Sequence, residues 1–486
     1  MKTLIVLMDG RELGVMRQDR GRLKFSYIDS WTETPGSYPL SLSMPLASAD
    51  HAHAAVEPFL WGLLPDNEFI LSRWAQRFQV SPRNAFDLIA NVGEDCAGAV
   101  QFVQPDRRDA FAGAGNVDWL DEANIAQRLR ELTIHTDAWR MSYDTGQFSL
   151  AGAQPKTALL FDGRRWGVPS GRLPTTHILK PPMGGLDGHA ENEHVCLRLA
   201  QALGLPTART DLHYFEDVVA IVIERYDRVR TEPLAQAASA QAALRATEAA
   251  MHAASDAPDA IATAARAAAQ ASAFAADARV MSEFSSRTPI YRVHQEDFCQ
   301  ALRVHPSRKY QSEGGPSPKA IVDLLSTYSS RGGHRAEGDR LEARQEDTWT
   351  FLEALAFNWL IGGTDAHAKN YSILLGGNGL VRLAPLYDVS SIFAYGHIDP
   401  RKAKLAMRIG RKYLLHHVDF ADWEELATEM RVDPVRLIDR IRAMATELPD
   451  RLAEELERLR RAKILSPALD RLGITLPERA RKLSRP

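Results

Sequence analysis

Cysteine is scarce in this chain, with three residues among 486, at positions 96, 196 and 299. They form no C-x-x-C pair, so the sequence indicates neither a disulfide framework nor a zinc site. No run of about 18 apolar residues occurs, which leaves no candidate for a membrane-spanning helix. The apolar stretch near the amino terminus is shorter than that of a signal peptide, so we expect a cytoplasmic protein with no membrane partner.

Charge of one sign is not in excess either, since 59 basic residues face 62 acidic ones and the formal net charge is −3. The total charge therefore carries no signal for nucleic-acid binding. Hydrophobic residues make up 45% of the chain, which is enough for more than one core at this length. We expect about two or three domains.

A phosphate-binding loop of the form G-x-x-x-x-G-K-[ST] is also missing, so the sequence does not support a P-loop NTPase. Residues 148–157, FSLAGAQPKT, are nevertheless rich in small side chains. Their backbone N–H groups can approach phosphate oxygens, and a strand-like segment at residues 158–161 follows them. A plain β-turn is the other interpretation of this segment.

Asp365 and Asn370 form the most informative pair in the chain. They lie in the run GTDAHAKN at residues 363–370, and D-x-x-x-x-N is the spacing of protein-kinase catalytic loops. In that chemistry the aspartate orients the attacking hydroxyl and the asparagine binds a Mg²⁺ ion. Both residue types also favour turns and helix caps, so the spacing alone leaves a structural interpretation open.

The segments around this pair predict a rigid support. Residues 351–361 are almost wholly apolar, which predicts a buried helix that ends at a Gly-Gly break. Residues 371–375 and 380–383 flank a glycine-rich turn and predict a β-hairpin. Asp388 follows this hairpin, where it is either a second Mg²⁺ ligand or a turn aspartate.

The preceding half of the chain supplies a lysine and a glutamate. Residues 176–180 predict a short strand that ends in Lys180, and kinases use such a lysine to contact nucleotide phosphates. Glu193 begins a helical pattern. It either forms an ion pair with Lys180 or complements the amino terminus of its helix.

Residues 218–223, VVAIVI, predict a strand that is buried on both faces. Glu224, Arg225 and Tyr226 follow it directly. In a kinase, backbone groups after such a strand bind adenine, whereas charged residues at a strand end usually face water. Both interpretations apply to these three residues.

Taken in order, the segments FSLAGAQPKTALL, THILKP, ENEHVCLRLA, IERYDR, HQEDFCQALR and GGTDAHAKNYSILL resemble the HipA family of serine/threonine-kinase toxins. The likeness extends to SLSMPL, GLLPDN and GEDCAGAV, so it covers most of roughly the first 420 residues. It implies the full-length form of the family: an α+β, protein-kinase-like fold of two lobes, with an extra N-terminal subdomain and a mainly helical C-lobe.

The resemblance also implies domain boundaries. We expect an N-terminal subdomain at residues 1–105, an N-lobe at 106–230, a helical insertion at 231–290, a helical C-lobe at 291–445 and a basic helical tail at 446–486. The insertion departs from the family, with 24 alanines in residues 231–280. Alanine favours helices, so we expect a peripheral helical excursion, either without a role or as a docking element for a partner.

By resemblance, Asp365 is the catalytic base, and Asn370 and Asp388 bind Mg²⁺. Ser149 matches the serine that HipA-like kinases autophosphorylate, where a phosphate would repel ATP and switch the enzyme off. Pro155 stands where the family commonly has an acidic residue. The residues that the resemblance implies as ATP contacts are Ala151, Gly152, Ala153, Gln154, Pro155, Lys156, Lys180, Glu224, Arg225, Tyr226, His367 and Tyr387.

The implied function is an ATP- and Mg²⁺-dependent protein kinase, the toxin of a type II toxin–antitoxin system. Its implied substrates are Ser149 and a host aminoacyl-tRNA synthetase, such as glutamyl-tRNA synthetase. Its implied partner is a HipB-like helix-turn-helix antitoxin, which makes most contacts with operator DNA. The alternative is a catalytically weak kinase-fold corepressor that binds a helix-turn-helix antitoxin on operator DNA. The complete set Asp365, Asn370, Asp388 and Lys180 favours the enzyme.

Basic residues concentrate near the carboxyl terminus. Six of them lie at positions 401–412, and the last 36 residues carry ten basic against five acidic side chains. Such a stretch is either a solvated face or a set of contacts to DNA phosphates beside the antitoxin.

Overall fold

A computed structural model describes residues 1–8, 10–108, 111, 115–134, 139, 148–230, 290–333 and 337–484. The chain divides into two compact units, Met1–Asp227 with Val293–Pro486, and Arg228–Arg292. In the second unit the described part is an antiparallel pair of strands, β12 (Arg228–Arg230) and β13 (Ile290–Arg292). The predicted alanine-rich helices at 231–289 lie outside the described residues.

The first unit begins with a five-stranded antiparallel sheet in the order β4-β3-β2-β1-β5. In β3, Leu23, Phe25 and Tyr27 are buried and alternate with more exposed residues, so one face of the sheet meets a core. Four helices complete this region. The elements are β1 (Lys2–Met8), β2 (Arg11–Asp19), β3 (Arg22–Tyr27), α1 (Asp29–Thr32), β4 (Asp50–Ala52), α2 (His53–Leu63), α3 (Glu68–Phe78), α4 (Ala85–Val92) and β5 (Val100–Val103).

A six-stranded antiparallel sheet follows, in the order β10-β11-β9-β7-β8-β6. Alternate residues of β11 enter two different cores, since Ile221 and Ile223 pack in one and Ala220 and Val222 in the other. The prediction of a strand buried on both faces is therefore confirmed. The elements are β6 (Asn116–Leu120), α5 (Glu122–Ile134), β7 (Thr157–Phe161), β8 (Trp166–Ser170), β9 (His177–Lys180), α6 (His189–Ala202), β10 (Thr210–Phe215) and β11 (Val218–Glu224).

The rest of the first unit is mainly helical around a four-stranded sheet, β14-β16-β17-β15, and a two-stranded one, β18-β19. The predicted hairpin is confirmed as β16 and β17, and the predicted buried helix is the second half of α9. The elements are β14 (His294–Asp297), α7 (Phe298–Ala301), α8 (Pro318–Tyr328), β15 (Ser330–Arg331), α9 (Glu337–Ile361), β16 (Ser372–Gly376), β17 (Leu380–Leu383), β18 (Lys404–Ile409), β19 (Lys412–Leu414), α10 (Phe420–Met430), α11 (Pro434–Arg461) and α12 (Pro467–Leu483).

The start of α11 shows how local sequence sets a helix boundary. Asp433 accepts hydrogen bonds from the backbone N–H groups of Val435 and Arg436, and Pro434 occupies the first helical position. The helix then runs without a break through the predicted boundary at 445/446, and its apolar stripe packs on α6, α9 and α12.

Among the described residues, no helix has both the length and the apolar character required to cross a bilayer.

Candidate functional site

A cleft of about 380 Å³ in the first unit brings the predicted site residues together. Its walls come from the segment before β7, the ends of β9 and β11, and the loop that follows α9. Pro155 is buried and does not line the cleft. The predicted residues that line it are Ala151, Gly152, Ala153, Gln154, Lys156, Lys180, Glu224, Arg225, Tyr226, Asp365, His367, Asn370, Tyr387 and Asp388.

The loop with Asp365 begins where α9 ends. The N–H of Gly363 donates to the carbonyl of Asn358 at 2.7 Å, and a Cβ at Gly363 would lie 2.2 Å from the Asn358 side-chain oxygen. Glycine is therefore required at this exit. Arg479 of α12 donates to the carbonyls of Trp359 and Leu360, both at 3.0 Å, and so satisfies groups that the helix end leaves open.

Asn370 closes this loop on Asp365. Its side-chain NH₂ donates to the Asp365 carbonyl at 2.8 Å, and the N–H of His367 donates to the same carbonyl at 2.8 Å. A short 3₁₀ turn, Ala368–Asn370, completes the loop. Because the amide nitrogen is used in this way, the side-chain oxygen of Asn370 is the atom that remains for a cation.

The Asp365 carboxylate is 59% exposed and opens on the cleft. Desolvation by the surrounding protein raises its pKa, while a hydrogen bond from the Tyr310 hydroxyl opposes that rise. His367 is buried beside it, with Nε2 3.9 Å from Asp365 Oδ1. Burial lowers the pKa of His367 to about 3, so this imidazole is neutral at physiological pH.

Lys180 joins the two halves of the cleft. Its ammonium donates to Glu193 at 2.8 and 3.0 Å and to Asp388 Oδ1 at 2.7 Å. Burial alone would lower the pKa of Lys180, but the two carboxylates outweigh burial and raise it. Of the two roles open for Glu193 in the sequence, the structure shows the ion pair.

Two hard oxygen donors in the cleft fit a magnesium ion. Asp388 has a left-handed backbone with φ of 58°, and Lys180 and Lys156 outweigh burial to lower the pKa of its carboxyl. Within the described residues there is no group of three or more His, Cys, Asp or Glu side chains that could hold a metal alone. Asn370 and Asp388 offer an amide and a carboxylate oxygen, which are ligand types that Mg²⁺ takes together with phosphate and water oxygens.

The small-residue loop before β7 is shaped around Lys156. Gly152 has φ of +100°, and a Cβ there would lie 2.5 Å from the Lys156 ammonium. That ammonium donates to the Ala151 carbonyl at 2.6 Å. Burial and the neighbouring Lys180 lower the pKa of Lys156 to about 8, so an anion in the cleft would strengthen its charged form.

The residues predicted to contact adenine are partly committed elsewhere. The N–H groups of Glu224 and Arg225 donate to the carbonyls of Arg209 and Thr176, both at 2.9 Å, which removes them as donors to a ligand. The Arg225 guanidinium is buried and donates to Asp227 at 2.8 and 3.0 Å. The Arg225 side chain therefore stabilises the folded structure.

Aromatic rings provide the remaining wall of this region. The rings of Tyr226 and Tyr387 lie 5.9 Å apart and both line the cleft. The Tyr226 hydroxyl donates to Gln295, and the Tyr387 hydroxyl donates to the Lys369 carbonyl at 2.8 Å. With their polar ends engaged, the two rings present apolar surface on which a flat base can pack.

Ser149 directly precedes this loop in the chain and is fully buried. Its hydroxyl donates to the carbonyl of Leu63 at 2.7 Å, and its N–H donates to the carbonyl of Asp95 at 2.9 Å. A kinase therefore reaches this hydroxyl only after the loop has left its place.

Several residues in the cleft or bonded to its lining were not predicted as site residues from the sequence. Asp66 bridges Lys309 and Lys369, Tyr310 donates to Asp365, and His189 lies 3.0 Å from the Gln154 amide. Lys369 lies inside the D-x-x-x-x-N run, so its place in that motif could have identified it as a site residue. Asp66 lies in GLLPDN, a segment that carries part of the resemblance, but the resemblance gave this residue no role, and its partners lie 243 and 303 residues away.

Known protein families and individual proteins resemble this chain over most of its length. The HipA N-terminal domain matches residues 4–103, and the HipA-like C-terminal domain matches residues 148–286 and 261–452. The chain is 34% identical to Y4mE of Sinorhizobium fredii, over 94% of this chain and 92% of that protein. It is 26% identical to the serine/threonine-protein kinase toxin HipA of Shewanella oneidensis, over 88% and 83%.

A solved structure has the same fold. It is the complex of Shewanella oneidensis HipA and HipB with operator DNA, and the matched chain gives a TM-score of 0.73 at 22% identity, over 99% of this chain and 97% of that one. The expected α+β, kinase-like architecture is thereby confirmed.

Proposed function

The chain belongs to the HipA family and is by homology a serine/threonine protein kinase, and from this premise we propose that it is an ATP- and Mg²⁺-dependent toxin. In this proposal it phosphorylates Ser149 and a host protein. The observation that carries the proposal is Lys180, whose ammonium lies between Glu193 and Asp388 in the same cleft as Asp365 and Asn370.

In this proposal each part of the nucleotide has its own contacts in the cleft. The Tyr226 and Tyr387 rings would contact the base, and the loop from Ala151 to Lys156, with Lys180, would contact the phosphates. Asn370 and Asp388 would hold Mg²⁺, which offsets negative charge on the phosphate oxygens when it is bound. These roles rest on the polarity and location of the side chains.

Asp365 would orient the acceptor serine. The serine oxygen forms a bond to the γ-phosphorus, the bond from that phosphorus to the β–γ bridging oxygen breaks, and ADP leaves. The hydroxyl proton passes to the Asp365 carboxylate, which stays accessible at 59% exposure. Lys180 stabilises charge on the phosphates throughout the transfer.

Incubation with labelled ATP tests this proposal. Asp365→Asn keeps the size of the side chain but removes the base, and we expect phosphate incorporation to fall by about a hundredfold or more. Asp323→Asn is the matched control, because Asp323 is 61% exposed on α8 and, among the described residues, its carboxylate pairs with Lys319. Equal labelling of wild type and Asp365→Asn would contradict the kinase proposal and favour the corepressor alternative.

The proposed host target is an aminoacyl-tRNA synthetase, with glutamyl-tRNA synthetase as the first candidate on family resemblance. Phosphoproteomics of cells that express wild type or Asp365→Asn identifies it. We expect one host phosphosite that depends on the intact aspartate. A kinase-dependent site on an unrelated protein would replace this target and leave the kinase chemistry standing.

The proposed partner is a HipB-like helix-turn-helix antitoxin, because the matched Shewanella oneidensis structure holds HipA with HipB and operator DNA. The basic stretch at 401–412 contributes fewer free charges than its composition indicates. Arg411 pairs with Glu425 and Lys412 with Asp422, each at 2.8 Å. In the described part of the chain, Arg408 has no ion pair, so it is one residue of this stretch whose charge can be tested.

Reversal of that charge tests contact with DNA. If Arg408 contacts a phosphate in the ternary complex, Arg408→Glu weakens operator binding and lowers the salt-dependence slope by about 0.9. Arg411→Glu, whose native partner is Glu425, serves as the comparison. An unchanged slope for Arg408→Glu would contradict a phosphate contact at this residue.

A further inference from the structure

Asp66 lies at the corner between α2 and α3 and forms hydrogen bonds to residues on both sides of the cleft. The N–H of Asp66 donates to the carbonyl of Gly152 at 3.1 Å, in the loop proposed to hold phosphates. Its carboxylate accepts from the Lys369 ammonium at 2.5 Å and from the Lys309 ammonium at 2.9 Å. One residue of the N-terminal region is therefore bonded to the phosphate loop and to the catalytic loop at once.

The corner itself is held rigidly. Asn67 begins α3 and accepts the N–H of Phe69 at 2.9 Å. α2 lies close against α7, since a Cβ at Gly62 would come within 2.4 Å of Gln300, and Gln300 donates to the Phe59 carbonyl at 2.9 Å. Asp66 is therefore held next to a helix, α2, that packs directly on α7.

Lys369 transmits this position to the catalytic loop. It lies between Asp365 and Asn370 in sequence, and its side chain is only 3% exposed. A buried ammonium needs a counter-ion, which Asp66 supplies, while Asp297 adds attraction. Burial would raise the pKa of Asp66, but the two lysines outweigh it and lower the pKa to about 2, so Asp66 is charged.

We propose that Asp66 is a positioning residue, which acts through Lys369 and Lys309 to set the distance between the phosphate loop and the catalytic loop. The proposal rests on the proposed kinase function. Phosphoryl transfer requires the acceptor oxygen and the γ-phosphorus in close, aligned contact, and a displacement of about 1 Å costs about a hundredfold in rate. The N-terminal region is thus part of the catalytic apparatus.

Asp66→Asn tests the proposal, because asparagine keeps the N–H bond to Gly152 and loses the charge. We expect kcat for phosphorylation to fall by about tenfold to a hundredfold. Affinity for a non-hydrolysable ATP analogue should be unchanged, since Lys180, Asp388 and the aromatic wall are untouched. Asp66→Glu should restore part of kcat, and Asp66→Asn in a Lys369→Gln background should cost little more than Lys369→Gln alone.

Asp50→Asn is the control, because it removes an exposed carboxylate, paired with Lys24 at 2.9 Å, from the same region. Loss of analogue affinity in parallel with kcat and melting temperature would overturn the positioning role and indicate a general folding defect. An unchanged kcat would overturn it as well. An inactive wild type would instead contradict the proposed function, so the two failures are distinguishable.

Discussion

The hydroxyl of Tyr310 donates a hydrogen bond to the carboxylate of Asp365. The Tyr310 ring also meets His367 edge to face, with centroids 5.0 Å apart, so the tyrosine is held in place beside the proposed base. Its hydroxyl therefore occupies one hydrogen-bonding position that an incoming serine hydroxyl would use on Asp365.

Tyr310→Phe should move the acid limb of the kcat–pH profile to higher pH. Desolvation raises the pKa of Asp365, and the Tyr310 hydrogen bond holds part of that rise back. Without the bond the carboxylate takes up a proton more readily, and the protonated acid cannot accept the serine proton. Tyr328→Phe, at an exposed tyrosine of α8, is the control. If the acid limb of the profile does not shift in Tyr310→Phe, a group other than Asp365 determines its position.

Lys180→Met should destabilise the protein by about 3–5 kcal/mol at neutral pH, because it leaves the buried Glu193 carboxylate without a counter-ion. Burial raises the folded-state pKa of Glu193 above its unfolded value. As pH falls, the folded protein binds this proton first, so the deficit should shrink in mildly acidic buffer. Urea unfolding of wild type and Lys180→Met at neutral and at mildly acidic pH measures this difference in the free energy of unfolding.

Glu193→Gln in the Lys180→Met background is the control for this prediction. It removes the unpaired charge, so it should recover much of the lost stability and abolish the pH dependence of the deficit. If the deficit of Lys180→Met is the same at both pH values, Glu193 is not its cause.

Gly152→Ala and Gly163→Ala separate backbone strain from the chemistry of the cleft. The two glycines have φ of +100° and +101°, so each alanine should cost about 1–3 kcal/mol of stability. Only at Gly152 does the new Cβ meet Lys156, whereas nothing lies within 4 Å at Gly163. We expect Gly152→Ala alone to weaken binding of a fluorescent ATP analogue. Equal loss in both variants would contradict a specific role for Gly152.

Ser149→Asp should abolish nucleotide binding, because a carboxylate cannot stay in the fully buried site under Leu63 and the loop must move. Ser149→Ala loses one hydrogen bond, which costs about 1 kcal/mol, and should keep nucleotide binding while it blocks autophosphorylation. Titration with a fluorescent ATP analogue compares them, with Ser30→Asp at an exposed position as the control. Wild-type affinity in Ser149→Asp would argue against a switch at this serine.

Local patterns in the sequence predicted the local structure well. The apolar run at 351–361 lies in α9, the glycine turn joins β16 to β17, and VVAIVI forms β11 within one residue. Each of these follows from periodicity or turn chemistry over a few residues. The predicted helices of the insertion at 231–289 lie outside the described residues.

The adenine-contact prediction shows where such patterns are insufficient. Glu224 and Arg225 do line the cleft, yet their N–H groups donate to carbonyls of Arg209 and Thr176. The acceptors of these two N–H groups depend on how neighbouring strands are connected and where they end. The residues of β11 alone do not specify this. Roles for Tyr226 and Tyr387 remain predictions, supported by the placement of their rings.

By itself, the sequence determined which chemical groups are available and in what order: Lys180, then Asp365 and Asn370, then Asp388, with glycines where the backbone must turn. Only the tertiary structure decided which groups meet. Asp66 reaches Lys369 across 303 residues, and Tyr310 reaches Asp365 across 55. Contacts between residues so far apart in sequence form when helices and strands pack together. That packing depends on the shapes of both surfaces, which local periodicity and motif spacing do not specify.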